Sequence, residues 1–218
     1  MTTFVIVPGG WQGGWSWQPT VERLLAQGHT VRALTLAGLD PDRPEPDAAP
    51  NLDTHIAEVT AELERHSEPV TLCGHSYGGM VITGAADRAP HKVARRVHVD
   101  AYVPDDGDSC WSLTSDEYRR LFVSGAAADG RTVAVPAGLD PRARPHPLAS
   151  FLQAVRLTGA IDAIARRTAV FATAFPGTPF ADLRHRLLAD PAWEVHELPV
   201  GHAIARLAPD ALTEILVN

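Results

Sequence analysis

Short apolar runs alternate with amphipathic stretches along most of the chain. Runs rich in β-branched and aromatic residues predict strands at residues 3–7, 29–36, 69–74, 93–100, 168–175 and 193–199. Apolar residues at helical spacing predict helices near residues 17–27, 54–66, 77–88, 179–189 and 207–216. Strand–helix alternation requires right-handed crossovers between parallel strands. The pattern therefore predicts an α/β fold with about six mainly parallel strands and helices on both faces of the sheet.

Turn and cap residues place two further boundaries. The segment 38–50 is rich in Pro and Asp, which predicts a loop. Asp53 or Thr54 is expected to cap the helix near 54–66, because both residue types accept hydrogen bonds from the first free backbone N–H groups of a helix.

One long stretch, residues 103–165, breaks the alternation. It holds several prolines, short helical pieces and the polar sequence RARPHP at 142–147. Apolar residues recur throughout it, which is typical of an insertion that packs on the core rather than of a linker. We predict a single domain over residues 1–218, in which this insertion forms a helical cap that covers a pocket and selects the substrate. Its larger apolar residues either line that pocket or anchor the cap: Trp111, Phe122, Leu148, Phe151 and Leu152.

Composition narrows the class of protein. The 218 residues suit one domain, and the net charge of −7 argues against a nucleic-acid or anionic-membrane partner. Cys73 and Cys110 are too few for a disulfide framework or a metal cluster. We expect neither a secretory signal nor a membrane span, and therefore a cytoplasmic location. We predict a small-molecule substrate, no metal and no cofactor; a homodimer is compatible with the sequence.

The motif GHSYGG, residues 74–79, carries the first candidate for chemistry. It reads G-x-S-x-G and lies between a predicted buried strand and a predicted helix. In that context the serine sits on a sharp turn, and the flanking glycines let strand and helix approach closely. Ser76 is therefore the candidate nucleophile, and the Tyr77 N–H at the helix start is a candidate oxyanion donor. The alternative is a glycine-rich turn with an idle serine.

A nucleophilic serine needs a base and an acid that orients the base. His202 follows the last predicted strand in VHELPVGHA, residues 195–203, where a parallel sheet places its active-site loops. For the acid, Asp100 at the end of the fourth predicted strand is favoured over Asp182. An aspartate that closes so apolar a strand is costly unless it is paired.

The loop after the first strand, PGGWQGG at residues 8–14, should supply the second oxyanion donor. The backbone N–H of Gly10 or of Trp11 fits this role. Candidate substrate-binding residues are Trp11, His75, Tyr102 and Trp111, although the His75 ring is expected to point away from the serine. Trp11, Trp15 and Trp17 either wall the pocket or pack in the core.

These segments resemble the α/β-hydrolase superfamily, and more narrowly its small single-domain esterases. That group includes plant methyl esterases, α-hydroxynitrile lyases and bacterial pyrethroid-hydrolase-like esterases. The resemblance covers nearly the whole chain and is carried by FVIVPGGWQGGWSW (4–17), LDTHIAEV (52–59), GHSYGGMVITGAADR (74–88), VHVDAYVPDDGDS (97–109), RLTGAI (156–161) and ELPVGHA (197–203).

The resemblance implies the α/β-hydrolase fold and supports Asp100 as the acid. Pro8 and Ala203 depart from the group, whose members often have histidine and aspartate there. Neither departure removes a triad member, but both could reshape the pocket.

The residues and the resemblance together predict a serine hydrolase that cleaves a carboxylic ester or thioester of a small, largely apolar molecule. Two other classes stay open. In a lyase, cyclase or isomerase of this fold, the same Ser–His pair would move protons without an acyl-enzyme. Lys92, the only lysine, precedes the fourth strand and so lies at its wrong end for cyanohydrin chemistry. The third class is a small-molecule receptor, which an intact triad disfavours.

Overall fold

A computed structural model describes residues 1–43 and 49–218. Its main element is a six-stranded parallel sheet. The strands are β1 Thr3–Val7, β2 Thr30–Ala33, β3 Val70–Ser76, β4 Val93–Ala101, β5 Thr132–Val133, β6 His146–Pro147, β7 Arg166–Ala172 and β8 Glu194–Leu198. Six of them form one sheet in the order β2-β1-β3-β4-β7-β8, and every pair in it is parallel. The predicted six-stranded α/β architecture is confirmed.

The helices cover the sheet and build the cap. They are α1 Gln18–Ala26, α2 Leu52–Glu64, α3 Gly78–Arg88, α4 Cys110–Leu113, α5 Asp116–Gly125, α6 Leu148–Leu152, α7 Ala181–Leu188, α8 Ile204–Leu207 and α9 Pro209–Val217. Short 3₁₀ turns lie at Gly14–Trp17, Pro90–Lys92 and Ala160–Ala163. None of the helices within the described ranges is long and apolar enough to cross a membrane.

Two apolar layers hold the sheet between its helices. Along β1, Val5 and Val7 belong to one layer, which also takes in residues of α2 and α3. Phe4 and Ile6 point the other way, into a layer with residues of α1 and α9. This follows from the two-residue period of a strand, which sends alternate side chains to opposite faces. A strand in the middle of such a sheet is apolar on both faces, as β1 and β3 are.

Among the predicted boundaries that differ from the structure, two have clear local causes. The predicted strand 29–36 ends as β2 at Ala33, because β2 is an edge strand and the chain beyond it folds back toward the core. Helix α2 begins before Asp53, because Asn51 is its cap. The Asn51 side chain accepts the Thr54 N–H at 2.9 Å, and Thr54 Oγ1 accepts the Asn51 N–H at 3.3 Å. Residues 44–48 of the predicted loop lie outside the described residues.

The segment from 103 to 165 carries α4, α5, α6 and the β5–β6 hairpin, all between β4 and β7. The hairpin is antiparallel and separate from the main sheet. Phe122 of α5 and Phe151 of α6 are buried and stack at 4.3 Å between ring centroids. These apolar residues therefore anchor the cap segment, which was one of the two expectations for them.

Gly78 marks a close approach of α3 to β1. A Cβ at Gly78 would lie 2.5 Å from the Val7 carbonyl oxygen, and neither backbone can move without disturbing the core. We expect Gly78→Ala to lower the free energy of unfolding by about 3 kcal/mol or more. Gly130→Ala is the control: its Cβ meets open space, but at a φ of +67°, so about 1 kcal/mol of backbone strain is expected. Urea denaturation compares the two, and an equal loss in both variants would contradict the close approach.

Candidate active site

Ser76 ends β3 in a strained backbone conformation. Its φ is +52°, in the left-handed region that residues with a side chain rarely adopt. The Ser76 carbonyl accepts the Tyr102 N–H at 3.2 Å, which ties the turn to the end of β4. A Cβ at Gly74 would lie 2.7 Å from the Gly78 carbonyl oxygen, so only glycine lets strand and helix meet this closely. The turn thereby presents the serine at the carboxyl edge of the sheet.

Ser76 lines a cavity of about 320 Å³, and the predicted base His202 lines the same cavity. The cavity lies between the carboxyl edge of the sheet and the cap. Its described lining comes from the loop after β1, the end of β3, α5, the segment between β5 and β6, and the loops after β7 and β8: Gly9, Gly10, Trp11, Gln12, His75, Ser76, Glu117, Tyr118, Leu121, Pro136, Ala137, Leu139, Phe175, Pro176, Gly177 and His202. A larger cavity of about 520 Å³ is lined by Arg43 and Ala49, which flank the undescribed residues, and by no triad candidate.

His202 and Asp100 form a close pair beside Ser76. Nδ1 of His202 lies 2.5 Å from Oδ2 of Asp100. The Asp100 side chain is 1% exposed, and its other oxygen accepts the Ala172 N–H at 3.1 Å. Both carboxylate oxygens are therefore satisfied, as a buried charge requires. Because Nδ1–H donates to Asp100, the ring keeps its lone pair on Nε2, where a general base needs it.

Asp182 lies elsewhere, in the first turn of α7. It lines a different groove, together with Tyr102 and Phe180. The structure thus pairs Asp100 with His202, whereas Asp182 lines a groove that contains neither His202 nor Ser76.

His75 supports the histidine loop instead of pointing away from it. Its Nε2–H donates to the His202 carbonyl at 3.0 Å, and the two rings lie 4.4 Å apart. Burial, and then the charge of neighbouring His202, hold the pKa of His75 well below its ordinary value, so the ring stays neutral. Phe175 stacks on the His202 ring at 4.8 Å. The expectation that His75 points away was wrong, because the loop after β8 crosses the sheet edge above β3.

One hydrogen bond reduces the number of candidate backbone donors for an oxyanion. The Trp11 N–H donates to Nδ1 of His146 at 3.1 Å and is therefore engaged. Within the described hydrogen bonds, the N–H groups of Gly10 and Tyr77 have no protein acceptor. Gly10 and Ser76 line the same cavity, and Tyr77 follows the serine directly. Of the two residues considered in the loop after β1, only Gly10 therefore keeps a free donor.

Tyr102 and Trp111 do not contribute to the described cavity wall. Tyr102 is buried, its hydroxyl donates to Thr114 Oγ1 at 3.0 Å, and its ring packs on Phe180. Trp111 packs under the Arg119 guanidinium, 6.0 Å from the ring centroid. Their interpretation as substrate-binding residues is corrected by these positions: Tyr102 is buried in the core, and Trp111 packs between the core and Arg119. Trp11 and His75 do line the cavity.

Several cavity residues could not be identified from the sequence. Glu117, Tyr118 and Leu121 come from α5, and Phe175 comes from the loop after β7. A helical apolar pattern in α5 shows that one face is buried, but not that this face meets the serine. Those contacts depend on how the cap packs on the sheet.

A parallel sheet with a serine at the strained end of β3, an aspartate near the end of β4 and its histidine partner in the loop after β8 is the arrangement of an α/β-hydrolase. Residues 4–216 match the alpha/beta hydrolase family. The chain belongs to this family.

Particular relatives were found by sequence and by structure. The chain is 33% identical to a carbendazim-hydrolysing esterase from Nocardioides sp. strain SG-4G, over 99% of this chain and 98% of the relative. An extracellular α/β-hydrolase from a Paenibacillus species superimposes with a TM-score of 0.84 at 22% identity, covering 100% of this chain and 98% of that one. A pyrethroid hydrolase from Sphingobium faniae gives 0.76 at 22% identity, covering 99% and 96%. The two structural matches show a shared fold.

Proposed function

We propose that the protein is a serine esterase that hydrolyses a carboxylic ester or thioester of a small, largely apolar molecule. The observation that carries this proposal is the His202–Asp100 pair, at 2.5 Å, whose histidine lines the same cavity as Ser76. The Nocardioides relative, which matches over nearly the whole chain, is an esterase and supports ester hydrolysis.

The reaction begins with attack of Ser76 Oγ on the ester carbonyl carbon, while His202 Nε2 takes the hydroxyl proton. The N–H groups of Gly10 and Tyr77 stabilise the oxyanion of the tetrahedral intermediate. Its collapse breaks the ester bond, and the leaving alcohol or thiol takes the proton from His202. Water then attacks the acyl-Ser76 ester with His202 as base, which releases the acid and restores the serine.

The described hydrogen bonds do not include one between Ser76 and His202. Such contacts often tighten only in the complex with substrate, so the shared cavity and the fixed His202 tautomer are the geometric support for the pair.

The cavity wall indicates the size and polarity of the substrate. A volume of about 320 Å³ lies at the lower end of small-molecule pockets. Most of the described side chains that face it are aromatic or aliphatic, including Trp11, Tyr118, Leu121 and Phe175. A compact ester with an apolar acyl or alcohol part therefore fits best.

A panel of p-nitrophenyl and methyl esters with different acyl parts tests the proposal. We expect turnover that favours short or branched apolar groups and that a fluorophosphonate abolishes by modifying Ser76. Tight binding of a ligand without turnover of any ester would instead support a receptor. Among the proton-transfer alternatives, the cyanohydrin route has no support from Lys92, because its Nζ donates to the His66 carbonyl at the other end of β4.

Glu117 is the one acidic side chain in the described cavity wall, and it is exposed at the mouth. A carboxylate there repels an anionic substrate. We expect Glu117→Gln to raise kcat/KM for a negatively charged ester by about threefold relative to a neutral ester of similar length. The gain should shrink in 0.5 M salt. Glu68→Gln, at the opposite end of β3, makes the same change in net charge and should leave the ratio unaltered; equal ratios in both variants would argue against a role for Glu117.

A further inference from the structure

Trp11, directly after the oxyanion donor Gly10, has a backbone that would not persist without support. Its φ is +64°, which is costly for a residue with a large side chain. We propose that His146, a buried cap residue, is a positioning residue that holds Trp11 in this conformation and so aims the Gly10 N–H at the substrate carbonyl. This inference rests on the proposed esterase function.

Three hydrogen bonds from the cap hold Trp11. Its N–H donates to Nδ1 of His146 at 3.1 Å. Its indole Nε1–H donates to the Val133 carbonyl at 3.0 Å. Its carbonyl accepts the Arg144 N–H at 2.9 Å. Val133 and His146 belong to the two strands of the β5–β6 hairpin, so this hairpin binds both backbone groups and the side chain of the strained residue.

The hydrogen bonds on the other side of the ring set the tautomer of His146. Nε2 lies 2.9 Å from Ser150 Oγ, and the Ser150 hydroxyl gives its own proton to the Pro147 carbonyl at 2.8 Å. Ser150 must therefore accept from Nε2–H, which leaves a lone pair on Nδ1 for the Trp11 N–H. Burial, and then neighbouring His55, hold the pKa of His146 well below its ordinary value, so this acceptor is kept.

Packing holds the His146 ring in place and brings it into contact with Tyr77, whose N–H is the second oxyanion donor. His146 is fully buried and stacks on Phe151 with 4.1 Å between centroids. The His146 ring also makes a T-shaped contact with the Tyr77 ring, with 4.8 Å between centroids. The Tyr77 hydroxyl is itself held, since it donates to Nδ1 of His55 at 2.8 Å while His55 Nε2–H donates to the Ala37 carbonyl at 2.9 Å. One imidazole thus contacts both segments that supply the oxyanion donors.

His146→Leu and His146→Asn separate this role from simple packing. Leucine fills similar space without an acceptor, whereas an asparagine amide oxygen can take the place of Nδ1. A misaimed donor weakens transition-state binding more than substrate binding. We therefore expect His146→Leu to lower kcat about 30-fold with KM within about threefold, and His146→Asn to recover most of that loss.

Thr114→Val is the matched control, because it removes the buried hydrogen bond from Tyr102 within the cap segment without touching Trp11. It should cost thermal stability and leave kcat within about twofold. A folded His146→Leu enzyme with wild-type kcat would overturn the proposal. Equal kcat losses in the leucine, asparagine and Thr114→Val enzymes would overturn it too, since they would show a merely structural effect.

A measurement on the unmodified protein keeps the test valid if the variants fold poorly. The ¹⁵N chemical shifts of the His146 ring should show a protonated Nε2 and an unprotonated Nδ1 that accepts a hydrogen bond. A proton on Nδ1 would rule out the proposed hydrogen bond from the Trp11 N–H to His146. Failure of the esterase proposal can be distinguished from failure of the His146 proposal, because in the first case the wild-type protein would turn over no ester.

Discussion

Ser76→Ala is expected to lower kcat on any ester the protein hydrolyses by roughly 10⁵-fold to 10⁶-fold. The variant keeps the cavity and the histidine but loses the atom that forms the acyl bond. KM should change little, since the missing hydroxyl contributes to the transition state more than to binding. Single-turnover assays on rigorously purified protein measure a loss of this size without interference from contaminating esterases.

A control for this substitution lies on the cap. Ser124 is exposed on α5, and its hydroxyl donates to the Leu121 carbonyl at 3.2 Å. Ser124→Ala makes the same chemical change and should keep activity within about twofold. Comparable turnover by the Ser76 and Ser124 variants would remove Ser76 from the mechanism.

Asp100→Asn is expected to lower kcat about 10⁴-fold. The asparagine carbonyl can still accept the Ala172 N–H, so its NH₂ group turns toward His202 and donates to Nδ1. The imidazole then carries its proton on Nε2 and cannot accept one from Ser76. Circular dichroism and thermal melting should show that the buried site still folds around an amide of nearly the same shape.

Asp182→Asn is the matched control for the choice of acid. Because Asp182 lines a separate groove, we expect its kcat to stay within about twofold of wild type. A severe loss at Asp182 with a mild one at Asp100 would reverse the assignment of the acid.

Local patterns explain why the sheet and the serine turn could be predicted. Apolar runs such as 69–74 are short and bounded by turn residues, and the G-x-S-x-G motif follows one of them directly. Both signals lie within about ten consecutive residues, so no knowledge of distant contacts is needed. Asp100 could also be predicted from its local sequence, because an unpaired carboxylate at the end of an apolar strand costs free energy. In the structure it is paired with His202.

The residues that line the cavity were harder to predict from the sequence, because the lining depends on contacts between segments far apart in the chain. Tyr102 follows β4 and was expected to face the substrate, yet its hydroxyl turns to Thr114. Glu117 reaches the cavity from α5, about forty positions beyond Ser76. The positive φ angles at Trp11 and Asp100 have no sequence signal, since neither residue is glycine, whereas the one at Ser76 lies in the turn that the G-x-S-x-G motif predicts. The role inferred for His146 likewise appears only when the hairpin is seen against the loop after β1.

Mass spectrometry of the protein, quenched during turnover of a slowly hydrolysed ester, tests the central claim most directly. We predict a transient mass increase equal to the acyl group, mapped to the peptide that contains Ser76 and missing from the Ser76→Ala protein. Steady product release with no adduct at any time point, under conditions where deacylation is slow, would contradict it. An adduct on a different residue would contradict it equally.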